Sequence, residues 1–295
     1  MIARTVGRQS VALLVRLRLE ETLSRAVAAE LRRRPSSRFL RRLGWHLGEA
    51  AAPALRVAHP RDGGRLLVDI SDHSQRAIYF EGVYEPPTTR LLRRVARRGW
   101  TFVDVGANAG YYTNLASQLG GPEGTVIAFE PNPQFAQRLE TLSGWATANV
   151  VVVQAGCGDR EEVLPLAISA DARNAGLSTL RPPAATVTAA GTDVPVVRLD
   201  SWCDENAVVP DVVKIDVEGF ETEVLLGMEQ LLADRVPRLI VCELAEGRAS
   251  HSPAEIIALM REHAYDAAGI ECDGTLGPLR PHPTSDFNIC FSRAG

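Results

Sequence analysis

The sequence predicts a doubly wound, Rossmann-like α/β fold: a mostly parallel sheet with helices on both faces, preceded by a helical and hairpin N-terminal extension. Three observations point to it. Short apolar runs at 101–105, 125–129, 150–153, 212–215, 239–242 and 288–291 are each bounded by turn residues. Helical stretches at 112–119, 133–143, 221–232 and 253–263 lie between several of them. The first run also enters a glycine turn that opens a helix, Val103-Asp104-Val105-Gly106-Ala107-Asn108-Ala109-Gly110. Strands alternating with helices imply a parallel sheet covered on both sides. Such sheets hold ligands beyond the carboxyl ends of their strands, near the point where strand order reverses.

Ahead of that alternation, residues 9–34 place Leu13, Leu14, Leu17, Val27 and Leu31 at roughly helical spacing, and the pattern breaks around Pro35 to Ser37. The runs 66–70 and 77–80 look like strands after the turn signal Asp62-Gly63-Gly64, so a small antiparallel hairpin is expected. Residues 86–98 read as a helix with Leu91, Leu92 and Val95 inward and arginines outward. The expected division is an extension over 1–80 and one catalytic-size domain over 81–295. The segment 169–192, rich in Ala, Thr, Pro and Gly, reads as a long loop. No internal repeat is visible.

Composition bounds the function. The 295 residues are 45% apolar and 23% charged, ordinary for a globular chain. The net charge of -4 hides an asymmetry: residues 1–45 hold eleven arginines and three glutamates, near +8, which leaves the remainder near -12. An acidic lipid surface, a partner or the acidic body itself are candidate contacts of that arm, although a solvated arginine-rich helix suffices and membrane contact is not the expectation. Nucleic acid is not expected as a partner, because the body is acidic and no basic patch interleaves with aromatics near the motifs. Cys157, Cys203, Cys242, Cys272 and Cys290 form no close pair, which argues against a disulfide framework and a structural zinc site. The apolar stretch 11–15 is too short to span a bilayer and no small-residue cleavage site follows it, so a cytoplasmic protein is expected.

The glycine turn carries the strongest chemical signal. Gly106 and Gly110 let backbone approach closely, with small Ala107 and Ala109 keeping the turn tight. A nicotinamide-type G-x-G-x-x-G starting at Gly106 would need glycines where Asn108 and Tyr111 stand, which argues against a nicotinamide oxidoreductase. Asp104 at the strand end can accept from an ammonium group or from loop amides. The next strand ends in Glu130, and an acidic residue there suits both hydroxyls of a ribose.

The set VDVGANAGYYT, VIAFEPNP and VVKIDVEGFETEVLLG resembles the FkbM family of S-adenosylmethionine-dependent methyltransferases, over residues 82–293. The resemblance implies a class I methyltransferase fold with S-adenosylmethionine as cofactor. It also implies a small-molecule acceptor, methylated on a hydroxyl oxygen of a sugar, a natural product or a related metabolite. Carried over by position, Asp104, Gly106, Asn108 and Gly110 would hold the methionine part, Glu130 the ribose, and the stretch Gly156 to Asp159, Gly158 and Asp159 above all, the adenine.

In Lys214-Ile215-Asp216-Val217-Glu218-Gly219 the three charged residues share one strand face by their period of two. Lys214 is about equally well explained as the ion-pair partner of Asp216 closing the sheet end, whereas the place of Asp216 and Glu218 at the carboxyl end of the strand favours function. Transfer to a hydroxyl calls for positioning and a general base, and Asp216, Glu218 and Glu243 are the catalytic candidates, with Asp216 also beside the cofactor. His251, in a loop, is a weaker candidate. The same carboxylates suit a divalent cation, but no metal is predicted. The alternative function is a non-catalytic S-adenosylmethionine-binding protein acting through a partner or membrane surface.

Overall fold

The structure is a computed structural model, and it describes residues 19–168, 178–180, 192–245, 250–279 and 286–293. The extension comprises helices α1 (Glu20–Arg33) and α2 (Arg38–Ala50), strands β1 (Leu55–Ala58) and β2 (Leu66–Asp69), and helix α3 (His73–Glu81). α1 lies within the expected helix, whose first residues fall outside the described part. Ser37 caps α2 by accepting from Leu40 N at 3.3 Å, which fixes the break after Pro35. An antiparallel hairpin does form, but β2 pairs with β1 across the Asp62-Gly63-Gly64 turn and not with the run 77–80.

The run 77–80, expected as a strand, is helical instead. Asp72 caps α3 by accepting from Gln75 N, and Gly82 closes it at φ +69°. Both helix ends are satisfied locally, so the apolar run is buried as a helix against the core rather than paired in a sheet.

The main sheet has eight strands in the order β12-β11-β13-β10-β9-β3-β4-β5. Their ranges are β3 Thr101–Val105, β4 Thr125–Phe129, β5 Asn149–Val153, β9 Val212–Ile215, β10 Leu239–Ala245, β11 Tyr265–Ile270, β12 Leu276–Gly277 and β13 Asp286–Arg293. From β5 to β10 the neighbours are parallel, and β13 runs antiparallel between β10 and β11. Strands 265–270 and 276–277 carry no clear alternation in sequence and were not expected. A three-stranded sheet of β6 (Gly156–Cys157), β8 (Thr192–Val197) and β7 (Glu162–Leu166) follows β5. It flanks the expected loop at 169–192, most of which lies outside the described residues.

Helices cover both faces, as expected. One core holds Phe102, Val126, Val212 and Val241 of the sheet with residues of α1, α2 and α3, of α4 (Pro86–Val95), of α5 (Tyr111–Gly120) and of α6 (Pro133–Ser143). The opposite core holds Val103, Ile127, Val213 and Ile240 with α7 (Leu199–Glu205), α8 (Glu221–Leu226), α9 (Glu229–Ala233) and α10 (Pro253–Glu262). The period of two along each strand thus feeds two cores at once. The helix expected over 221–232 is two short helices, because the chain breaks at Gly227, whose backbone passes against the carbonyl of Gly158. No described helix is long and apolar enough to cross a membrane.

Candidate active site

After β3 the chain winds outward through β4 and β5, then returns to add β9 on the other side of β3. The switch point therefore lies between β3 and β9, where two strand ends diverge and leave a crevice. A cleft opens there, about 1230 Å³ including its mouth, lined by Gly106, Asn108, Glu130, Asp216, Glu218 and Glu243 among others. That is room for ligands of metabolite size.

The glycine turn packs against its own neighbours. Gly106 has φ +82°, and a Cβ on it would lie 1.9 Å from the Asp216 carbonyl oxygen. Gly110, at φ +84°, faces Leu139 and Leu142 of α6. The space these glycines leave is thus filled by protein, which lets β3 meet β9 and α5 meet α6, rather than by a ligand approaching the backbone. The turn is held open by Gly106 N and Ala107 N, both donating to Phe129 O at 3.0 Å. Asn108, at φ +51°, donates its N–H to Glu130 Oε2 at 2.7 Å, and its own Oδ1 is buried without a partner among the described residues.

Glu130 is buried and also accepts from Asn132 N at 2.8 Å. Burial pushes its carboxyl up to about 7, against the pull of those two amide bonds. Asp104 sits beneath the turn, away from the cleft wall, and accepts from Thr113 Oγ1 at 2.6 Å. Burial raises it to about 6. Gly158 and Asp159, expected near the adenine, are likewise not on the cleft wall. Gly158 faces Val196 and Phe220, and the Asp159 carbonyl accepts from Arg198 at 2.6 Å. Of the expected stretch 156–159, the short strand β6 presents Gly156 and Cys157 to the cleft, and its pairing with β8 carries the chain away before Gly158.

Sheet register collects the charged groups. Asp104 stands beside Lys214, and Glu243 is paired with Asn288. Counting by twos, Lys214, Asp216 and Glu243 emerge on one face at the ligand edge. Strand β9 ends at Ile215, however, so Glu218 is not part of that face. It turns in at φ +55°, and carboxylate oxygens of Asp216, Glu218 and Glu243 still lie within 4.8 Å of one another. Lys214 Nζ is 3.3 Å from Asp216 Oδ2 on a fully buried side chain. Its pKa is depressed by burial but raised on balance by Asp216, Glu85 and Glu243. The Glu243 carboxyl is pushed far up, first by the Asp216 charge and then by burial.

Three further groups complete this end. Glu85, held at φ +38° just before α4, accepts from the Tyr112 hydroxyl and from Asn288 Nδ2 at 3.0 Å. Burial raises its carboxyl. Tyr112 also places its ring 5.3 Å from Lys214 Nζ, and no local signal distinguishes it from the core tyrosine beside it. His73 and Ser74, at the start of α3, bring the extension to the cleft wall; they fall between the expected runs 66–70 and 77–80 and carry no motif of their own. His251 is exposed, bonded to Ser250, and absent from the cleft.

Asp104 and Glu130 link this site to stability. Their folded pKa values exceed the ordinary carboxylate values of 3.8 and 4.5, so the folded ligand-free protein binds more protons than the unfolded chain between about pH 4 and 7. Their stabilising contribution is complete below about pH 4 and is lost as pH rises through 6 and 7, an upper bound of about 3 kcal/mol each. The thermal midpoint of the ligand-free protein is therefore expected to fall between about pH 5 and 7.5 and then flatten. A midpoint that climbs through that interval would refute the assigned environments.

The fold and this ligand edge together define a class I methyltransferase. A family model described as "Methyltransferase FkbM domain" matches residues 104–267, and the chain belongs to that family. It is 29% identical, over 179 residues, to the hexuronic acid methyltransferase AglP of Haloferax volcanii, covering 60% of this chain and 68% of the relative. Among solved structures, it is similar to a TehB-like SAM-dependent methyltransferase from Corynebacterium glutamicum (TM-score 0.42, 15% identity, 74% of this chain and 93% of that one). It is also similar to a precorrin-6y C5,15-methyltransferase from Geobacter metallireducens (TM-score 0.40, 15% identity, 71% and 87%).

Proposed function

We propose that this methyltransferase uses S-adenosylmethionine to methylate a hydroxyl oxygen of a small-molecule acceptor, a sugar or a natural product. The observation that carries the reading is the convergence of Asp216, Glu218 and Glu243 at the switch point, beside the turn that Asn108 and Glu130 complete. The residues fit the cofactor. Asn108 Oδ1, buried and unpartnered among the described residues, suits a donor such as an ammonium or hydroxyl, and Glu130 has lone pairs left for ribose hydroxyls. When bound, S-adenosylmethionine supplies an electrophilic methyl group. The similarity to a hexuronic acid methyltransferase supports a sugar acceptor.

The chain's own residues then have three tasks. The narrow cleft holds the acceptor hydroxyl in line, which removes much of the entropic barrier. Asp216 takes the hydroxyl proton as the new carbon–oxygen bond forms, so the oxygen does not leave as a protonated ether. Lys214 pairs with Asp216 among the neighbouring carboxylates, and Glu218 offers a second acceptor for the substrate's hydroxyls.

Isothermal titration tests the cofactor assignment directly. S-adenosylmethionine and its demethylated product are expected to bind at micromolar Kd, and NAD not at all. NAD binding with no binding of the other two would overturn the reading. Binding with no turnover across a broad hydroxyl panel would favour the non-catalytic alternative.

A further inference from the structure

A second cavity lies in the N-terminal extension, between α1 and β1, apart from the cleft. Its α1 wall is Arg25, Ala28, Ala29 and Arg32, spaced by three, four and seven positions and therefore on one helix face. The two alanines leave the hollow and the two arginines flank it. Arg56 and His59, from β1 and the residue after it, face them. We propose that this cavity is a binding site for a phosphate-type anion, a phosphate monoester or diphosphate group.

Charge and burial both support a built site. Arg56 is nine-tenths buried and paired with Glu20 at 2.5 Å, and Arg25 is paired with Glu21 at 2.5 Å. Arg32 has no ion pair among the described residues, so the cavity carries positive charge in excess. The same potential reaches His59, whose pKa is lowered by burial and then by Arg32 and Arg65. Tyr79 of α3 is only 4% exposed, lines the cavity, and its hydroxyl has no hydrogen-bond partner among the described residues. The phenol body is buried while its hydroxyl opens into the basic hollow, where it can donate to an acceptor. Residues 1–18 add four arginines and no acid, so the chain before α1 brings no counter-charge. Guanidinium forks, a phenol and an imidazole are the donor set that matches phosphate oxygens. The site shares α3 with the cleft, where Ser74 and Ile78 form part of the wall.

The test uses the full chain. Pyrophosphate is titrated by calorimetry into wild type, Arg32→Ala, Tyr79→Phe and, as a control for overall charge, Arg98→Ala, whose side chain is exposed beside Glu123. In parallel, sedimentation is measured with vesicles of phosphatidylcholine alone or mixed with phosphatidic acid. Saturable pyrophosphate binding is expected, weakened about tenfold by Arg32→Ala and severalfold by Tyr79→Phe, the size of a lost charge-assisted or neutral hydrogen bond, and unchanged in the control. Retention on phosphatidic acid vesicles that pyrophosphate competes away identifies a lipid headgroup as the source. Pyrophosphate binding without retention identifies a soluble phosphate ester. No saturable binding, equal weakening by Arg98→Ala, or vesicle retention indifferent to Arg32→Ala and Tyr79→Phe would each overturn the site. The last result would assign the charge to a diffuse surface.

Discussion

Asp216→Asn is expected to lower turnover by about a hundredfold to ten-thousandfold, the usual contribution of a general base, while S-adenosylmethionine affinity changes by less than about threefold. The substitution is isosteric. Its backbone N–H still donates to Val105 O at 3.0 Å, so the strand end keeps its position. What disappears is a negative charge 3.3 Å from Lys214 and the ability to take a proton. A second consequence follows from the same geometry. The Asp216 charge is the foremost cause raising the Glu243 pKa, so Glu243 ionises more readily in the variant. Residual activity should therefore rise with pH, and Glu243→Gln added to Asp216→Asn should remove that rise. Product release of S-adenosylhomocysteine, measured with the acceptor found by panel screening, reads both effects. Wild-type turnover, or a variant that no longer binds the cofactor, would show that Asp216 does not serve the chemical step.

Gly106→Ala is expected to destabilise the protein by about 3 kcal/mol or more and to weaken S-adenosylmethionine binding at least tenfold, with Gly106→Val abolishing binding. A Cβ at this position would overlap the Asp216 carbonyl oxygen at 1.9 Å, and φ +82° is a region that side chains disfavour. Backbone on both sides is tied into sheet hydrogen bonds, so neither strand end can yield without opening the other. The loss should thus appear in the thermal midpoint as well as in titration. If Gly106→Ala keeps its midpoint but loses binding, the glycine serves ligand approach rather than strand contact. Together the two variants separate a residue that builds the crevice from one that acts in it.

How much was legible depended on how local each cause is. The five parallel strands, the glycine turn, Glu130 and the carboxylates at Asp216, Glu218 and Glu243 all stand in continuous stretches whose period or turn chemistry can be read directly. Helix α3 could not be read, because the apolar run 77–80 suits either period and the decision rests on caps at Asp72 and Gly82 together with burial on the core. Tyr112 carries no sequence mark of its own, and Glu85 only its place ahead of the first domain helix, where it could line a pocket entrance. They join the site because α4 and α5 pack side by side over Lys214, a long-range contact that no short window records.

Asp104, Gly158 and Asp159 all lie off the cleft wall, for related reasons. Asp104 and Gly158 sit at strand ends, where a ligand-facing role is the ordinary expectation, yet both point into protein. For Asp104 the next turn of α5 brings Thr113 over the carboxylate; for Gly158 the small sheet turns the chain early. By itself the sequence determined the alternation of strands and helices, the crossover that creates a switch point, and the residue types delivered to its edge, because periodicity and turn chemistry act within a few residues. Tertiary structure alone decided which of those residues reach the cleft, which are sealed beneath it, and that Lys214, Glu85, Tyr112 and Asn288 surround the carboxylates. Burial and pairing between distant segments set those facts, and with them the raised pKa of Glu243 beside Asp216.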